Sequence, residues 1–178
     1  MMKKILIGLG LLVGIVVIFG LLLPKDYTIE REIVIQQPKA AVFAEVRSLK
    51  SQNTWSPWGK LDPNMKLEFR GTDGQVGFVS AWSGNKEVGV GEQEITKIVE
   101  GERMETELRF KEPFADTGYG WFATEAVSEK ETKVKWGMRG RTPFPMNLLC
   151  FVMNMQGMLA RDFDKGLAAL KEKLEKGQ

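Results

Sequence analysis

Residues 146–174 read MNLLCFVMNMQGMLARDFDKGLAALKEKL, and this stretch decides the predicted fold. Its apolar residues recur every three or four positions, a spacing that gives an α-helix one apolar face. Pro143 and Pro145 precede the stretch, where proline is compatible with the start of a helix. The pattern therefore predicts one long C-terminal helix, and its apolar face requires a partner from the rest of the chain.

The first half of this predicted helix is unusually rich in methionine. It contains Met146, Met153, Met155 and Met158, with Cys150 and Phe151 between them. Methionine is flexible and polarizable, so such a face either lines an adaptable pocket or fills an irregular core. The sequence leaves both interpretations open.

Segments that alternate apolar and polar residues precede the helix, and each is typical of a β-strand. The first covers residues 27–35, after which Pro38 begins a short predicted helix. Six more strands lie between residues 65 and 141, and the glycines in the strand at residues 88–99 predict a β-bulge. The chain therefore predicts an α+β fold, in which a curved seven-stranded antiparallel sheet wraps around a long C-terminal helix.

Two aromatic features remain ambiguous at this level. Trp55 and Trp58 flank Ser56-Pro57 in a stretch that we interpret as a stiff loop, which either plugs the core or forms the rim of a cavity. Further along, the alternation does not decide which of Trp121 and Phe122 points towards the helix.

Composition excludes several classes of function. The 178 residues are 43% hydrophobic and 27% charged, which suits one globular domain with an appendage. The net charge is only +2 and the charges are interspersed, so no nucleic-acid partner is predicted. The chain has no histidine and one cysteine, which excludes histidine catalysis, histidine metal sites, internal disulfides and multi-cysteine clusters. We predict no cofactor and no metal.

Residues 5–23 form an uncharged apolar run of about 19 residues, long enough to cross a bilayer core as a helix. A secretory signal would have a shorter apolar core and a small-residue cleavage site, and Ile18 and Gly20 leave cleavage open. We expect an uncleaved anchor over residues 1–25 and one domain over residues 26–178.

Lysines before the apolar run favour a cytoplasmic N-terminus. The expected product is a single-pass protein of the cytoplasmic (inner) membrane, with its domain outside the cytoplasm. Lys25 and Arg31 follow the run and weaken this orientation.

Several motifs resemble the polyketide cyclase/dehydrase-like branch of the START-like, or SRPBCC, superfamily. They are EREIVI at 30–35 with Pro38 and Val42-Phe43, WSPW at 55–58, WSGN at 82–85, TKVKW at 132–136 and PFPMN at 143–147. The resemblance implies the helix-grip fold, a cavity between sheet and helix for apolar or amphipathic molecules, and a membrane leader. It implies no catalytic residue, because catalytic members of the superfamily use different residues from one another.

We therefore expect a non-enzymatic binding module that holds a small hydrophobic or amphipathic ligand near a lipid bilayer. Candidate cavity residues are the inward aromatic and methionine side chains Trp58, Trp82, Phe110, Trp136, Met138, Phe151, Met155 and Met158. Residues of these types are also common in protein cores, so the prediction of a cavity depends on the whole group and not on any single residue.

The alternative is a cyclase- or dehydrase-like enzyme with an acid or a base in the cavity. Its candidate residues are Glu92, Glu94, Tyr119 and Asp162, all of residue types that usually lie on the surface. A third class, a protein-interaction module, would use an outer sheet edge, and no residue identifies a protein partner.

Overall fold

The computed structural model describes residues 2–176, which omits the first residue of the predicted anchor and the last two of the predicted domain. Seven strands form one antiparallel sheet in the order β1-β7-β6-β5-β4-β3-β2. They are β1 (Asp26–Ile35), β2 (Lys66–Arg70), β3 (Val79–Ser83), β4 (Val90–Val99), β5 (Arg103–Glu112), β6 (Asp116–Ser128) and β7 (Glu131–Arg141). The predicted α+β fold, a seven-stranded sheet with a long C-terminal helix, is confirmed.

The helices are α1 (Met2–Leu22), α2 (Lys39–Arg47), α3 (Leu49–Trp55), a 3-10 helix (Pro57–Lys60), α4 (Met146–Val152) and α5 (Met155–Glu175). Helix α2 follows Pro38, as predicted. The loop interpretation of the following residues was wrong, because they form α3 and the 3-10 helix. The Ser48 hydroxyl caps α3 by accepting a hydrogen bond from the Ser51 N–H, and Pro57 begins the 3-10 helix.

The prediction of one continuous helix over residues 146–174 was also wrong, because α4 and α5 are separate. Between them Asn154 has a φ of +51°, a left-handed conformation that asparagine tolerates better than most residues. Apolar residues continue at helical spacing through the break, so periodicity alone did not reveal it.

The sheet has one face towards α5 and one towards solvent. Phe122 lies on the inner face, and Trp121 lies on the outer face, where its Nε1–H donates to Glu30 Oε2 at 2.9 Å. The predicted bulge in β4 is confirmed by a register shift between Val90 and Gly91. These alternations place one continuous set of apolar side chains beneath the sheet.

Helix α5 packs chiefly against β1 and across the apolar face of β7. Its buried residues Phe163, Leu167 and Leu170 recur at helical spacing, as the sequence pattern predicts. Gly166 lies in the same row and allows the backbone of the helix to approach the ring of Trp136 closely. The core therefore lies between the sheet and the second half of the C-terminal region.

Helix α1 leaves nearly all of its apolar side chains exposed. Its length and composition are sufficient to cross a membrane, and signal sequences near an N-terminus share both properties.

Candidate ligand-binding site

An aromatic stack fills the space beneath the middle of the sheet. The rings of Trp136 and Phe163 lie 4.4 Å apart at an interplanar angle of 8°, and Phe122 stacks with Trp136 at 4.9 Å. Trp55 and Trp58 each pack edge-on against Trp136, with centroids 5.6 Å away. The region directly under β6 and β7, between the sheet and α5, is thus packed with aromatic rings, so the ligand cavity predicted between sheet and helix does not lie at this point.

A groove of about 300 Å³ opens beside this stack, between the 3-10 helix and α5. We call it the Trp58 groove, and it is lined by Trp55, Pro57, Trp58, Lys60, Leu61, Asp162, Lys165 and Ala169. A cavity of about 150 Å³ is enough to hold benzene, so this groove has room for a fused ring system or a short chain. Its volume is at the lower end of the range typical of ligand sites.

The WSPW motif builds the groove. Trp55 ends α3 with its ring inside the core, and Pro57 begins a helical turn that places Trp58 against both Trp136 and Phe163. The two interpretations of the motif, a plug of the core and the rim of a cavity, therefore apply to different residues: Trp55 fills the core and Trp58 forms a wall of the groove.

The indole N–H of Trp55 is buried without a hydrogen-bond partner among residues 2–176. Leaving such a donor unpaired costs about 1–3 kcal/mol of stability.

Charged side chains surround the apolar floor. Lys60 and Lys165 line the groove together with Asp162, whose Oδ1 accepts a hydrogen bond from Lys165 Nζ at 2.9 Å. Among the lining residues, two lysines and one aspartate give the rim one positive charge in excess, and Glu172 of α5 interacts electrostatically with Lys60. An apolar floor under a cationic rim matches an amphipathic molecule with a negatively charged end.

The other predicted cavity residues fall into two further groups. Trp136 and Met138 are buried on β7, the former behind the wall of the groove. Trp82 and Phe110 form an edge-to-face pair with centroids 5.9 Å apart on β3 and β5, and the Trp82 Nε1–H donates to Val88 O at 3.3 Å. None of these four lines the Trp58 groove.

The last group surrounds the break between α4 and α5. Phe151, Met155 and Met158 are exposed by 59%, 42% and 45%, and none of them lines the Trp58 groove. Phe151 instead contacts Phe19 of α1. Of the eight predicted cavity residues, Trp58 alone lines that groove.

The candidate acid and base residues mostly lie on the outer face of the sheet. Arg109 donates hydrogen bonds to both Glu92 and Glu94, and Tyr119 is exposed on β6. Two hydrogen bonds, the stronger effect from Arg70 and the next from Arg109, lower the pKa of Glu92 to about 2. A carboxyl group with that pKa stays ionised at neutral pH and does not serve as a general acid. Asp162 is the member of this group that lines the Trp58 groove.

A second groove, of about 260 Å³, lies on the outer face and was not predicted. It is lined by Thr28, Thr96, Arg103, Glu105, Thr106, Tyr119, Gly120, Trp121 and Arg139. The guanidinium groups of Arg103 and Arg139 lie 5.1 Å and 5.7 Å from the rings of Trp121 and Tyr119. The aromatic faces are therefore already engaged by cations, and the groove suits an apolar ligand poorly.

No protein-family model and no curated protein matches the sequence. Solved structures do match. Norcoclaurine synthase from Thalictrum flavum, in complex with dopamine and hydroxybenzaldehyde, has a TM-score of 0.65 at 10% identity over 86% of this chain and 88% of its own.

Two bacterial structures match over similar lengths. The Aha1 dimer of Colwellia psychrerythraea has a TM-score of 0.59 at 15% identity, over 85% of this chain and 98% of its own. A protein from Nitrosospira multiformis has a TM-score of 0.58 at 18% identity, over 83% and 95%. At these identities the likeness shows the fold alone, and that fold is the helix-grip fold of the SRPBCC, or Bet v 1-like, proteins.

Proposed function

We propose that this chain is a membrane-tethered binding module that holds a small hydrophobic or amphipathic ligand in the Trp58 groove. The observation that carries the proposal is the groove itself, an open space of about 300 Å³ with an aromatic floor beside the C-terminal helix. A concave, mostly apolar site with a few polar groups at its edge is the usual form of a small-molecule site.

The lining indicates the class of ligand. Trp58 offers an aromatic surface for a flat apolar group, and Lys60 and Lys165 offer positive charge at the rim. A small aromatic or fused-ring compound with an anionic end combines these two features. The norcoclaurine synthase structure, which holds two small aromatic molecules, supports such a use of this fold.

Helix α1 supports the tether. Its exposed apolar side chains would be costly in water, and its 21 residues span about 30 Å, the thickness of a bilayer core. On this proposal residues 1–25 anchor the protein in the inner membrane with the N-terminus in the cytoplasm, and residues 26–178 form the binding domain on the other side.

The test compares two neighbouring alanines of α5. Ala169 lines the groove, whereas Ala168 is exposed and does not. Ala169→Phe fills the groove with a ring, and Ala168→Phe adds the same ring outside it. Each full-length variant in lipid nanodiscs is titrated with anilinonaphthalene sulfonate, an aromatic probe with one negative charge, and empty nanodiscs supply the blank.

Losing the burial of one aromatic group costs about 1.5–3 kcal/mol, so Ala169→Phe should weaken binding roughly tenfold to a hundredfold. Ala168→Phe should bind like the wild type. Equal binding by all three proteins, or no binding beyond the blank by the wild type, would contradict the proposed site. Native mass spectrometry of the extracted wild type then seeks the natural ligand.

A further inference from the structure

The segment around α4 exposes apolar side chains that the core does not use. No charged residue occurs between Arg141 and Arg161. We call the exposed apolar residues of this segment the α4 patch: Leu149, Phe151, Val152, Met153, Met155 and Met158. Their exposed fractions range from 42% to 73%. Apolar side chains concentrated in this way on a protein surface are typical of a site that contacts a membrane, a ligand or another protein.

Helix α4 is fixed to the end of α1 by a buried hydrogen bond. The carbonyl of Gly20 has no helical donor, because the residue four positions later is Pro24, which lacks an N–H. Asn147 Nδ2, buried in α4, donates to that carbonyl at 2.8 Å. The ring of Phe144 lies directly against Gly20. The position of α4 beside α1 is therefore specified by the side chains of Phe144 and Asn147 against the backbone of Gly20.

A second contact fixes the position of the α4 patch along the axis of α1. The rings of Phe19 and Phe151 meet edge to face with centroids 5.7 Å apart. Phe19 precedes Leu23, the last residue of the apolar run, by four positions, which is about 6 Å of helix rise. When α1 spans the bilayer, Phe19 therefore lies about 6 Å below the end of the apolar run, and the Phe151 ring beside it lies at the same depth. Helices that lie in a membrane interface bury their apolar face to a similar depth, about 5–10 Å.

We propose that the α4 patch is inserted into the lipid interface beside the end of α1, so that the domain contacts the bilayer at a second point. The inference rests on the membrane tether of the proposed function, because α1 must be in the bilayer for the level of Phe151 to apply. Lipid is the occupant that the contacts favour, since the patch continues the apolar surface of α1 through Phe19. Arg141 and Arg161, both exposed at the ends of the uncharged segment, are placed to meet lipid headgroups.

The insertion would orient the whole domain. One transmembrane helix followed by a short connection leaves a domain free to tilt, whereas a second apolar contact holds one end of the sheet at the membrane. The connection between β6 and β7 lies at the other end of β7, about 30 Å away along an 11-residue strand. That connection should stay in water.

The test uses single fluorescent labels on the full chain. In a Cys150→Ser background, cysteine replaces Leu12 in the middle of α1, Val152 in the α4 patch, or Ser128 at the distal connection. Met155→Cys is a second position in the patch, in case the label at Val152 disturbs α4. Each labelled protein is reconstituted into phosphatidylcholine vesicles whose acyl chains carry bromine either near the headgroup or near the chain end.

We expect the Val152 and Met155 labels to emit at shorter wavelength than the Ser128 label and to be quenched most by bromine near the headgroup. The Leu12 label should be quenched most by bromine near the chain end. Quenching at Leu12 with none at Val152 and Met155 would overturn the inference and leave the tether intact. A blue shift at Val152 without quenching would also overturn it, because protein would then cover the patch. No quenching at Leu12 would refute the tether, and the inference with it.

Discussion

Gly166→Ala sets two physical effects against each other, and the structure decides between them. Gly166 lies inside α5, where alanine is favoured over glycine by about 1 kcal/mol of helix propensity. A Cβ at this position, however, would lie 2.5 Å from Trp136 Cζ3 and 3.1 Å from Pro57 Cδ. Propensity alone therefore predicts stabilisation, and packing predicts the opposite.

Packing should win, because the ring of Trp136 has little freedom to move. Phe163 stacks on it at 4.4 Å and Phe122 at 4.9 Å, so a shift of the indole disturbs both neighbours. Overpacking of this kind costs about 1–3 kcal/mol. After the gain in propensity is subtracted, Gly166→Ala should lower the free energy of unfolding by up to about 2 kcal/mol.

Urea unfolding of the full-length protein in mild detergent measures the change. All five tryptophans lie between residues 55 and 136, so their fluorescence reports on the domain and not on α1. The matched control is Ala168→Gly, at an exposed position of the same helix, which should cost about 1 kcal/mol through propensity alone.

A double-mutant cycle with Trp136→Phe isolates the clash. This substitution removes the ring atoms nearest the new Cβ, so in that background Gly166→Ala should become neutral or stabilising by up to about 1 kcal/mol. A stabilising effect of Gly166→Ala in the wild-type background would refute the reasoning, because it would show that the stack yields without cost. An equal loss in both backgrounds would show that the clash is not with Trp136.

Three further predictions concern other parts of the molecule. The pKa of Glu92 is lowered from 4.5 to about 2 in the folded state, so its contribution to stability is present above about pH 4.5 and is lost as the pH falls towards 2. The free energy of unfolding, measured by urea unfolding at several pH values in that range, should therefore depend less steeply on pH in Glu92→Gln than in the wild type. Asn147→Leu leaves the Gly20 carbonyl without its donor and should lower the unfolding free energy by about 1–3 kcal/mol in the same assay, whereas an unchanged value would show that this bond is not formed. Trp121→Phe removes the hydrogen bond to Glu30 on the outer face, which should cost about 0.5–1.5 kcal/mol in stability while binding of the aromatic probe stays as in the wild type.

Local patterns were sufficient to predict most of the fold. Alternation along β7 identified the faces of Trp136 and Met138, because side chains of a strand point to opposite sides in turn. The spacing of Phe163, Leu167 and Leu170 identified the buried face of α5 for the same kind of reason. Signals that repeat within a few residues depend on backbone geometry alone, so they can be read without knowledge of the partner element.

The candidate site was predicted less completely. The sequence showed that the WSPW motif has two possible roles, and tertiary packing assigned the core to Trp55 and the wall of the groove to Trp58. Lys60, Leu61 and Ala169 were missed, because each is an ordinary residue in its own segment and becomes a lining residue only where the 3-10 helix faces α5. No local pattern contains that information.

The sequence by itself determined the class of the fold, the apolar N-terminal helix and the exclusion of histidine chemistry, all of which depend on composition or short-range periodicity. Only the tertiary structure decided that Phe122 and not Trp121 enters the core, that the C-terminal region breaks at Asn154, and that Phe151 meets α1. The reason is physical: an apolar side chain gains free energy by leaving water, whether it enters a core, contacts a ligand or enters a membrane. The residue type therefore does not distinguish these surroundings. The choice among them is made by which distant segment of the chain comes to lie beside it.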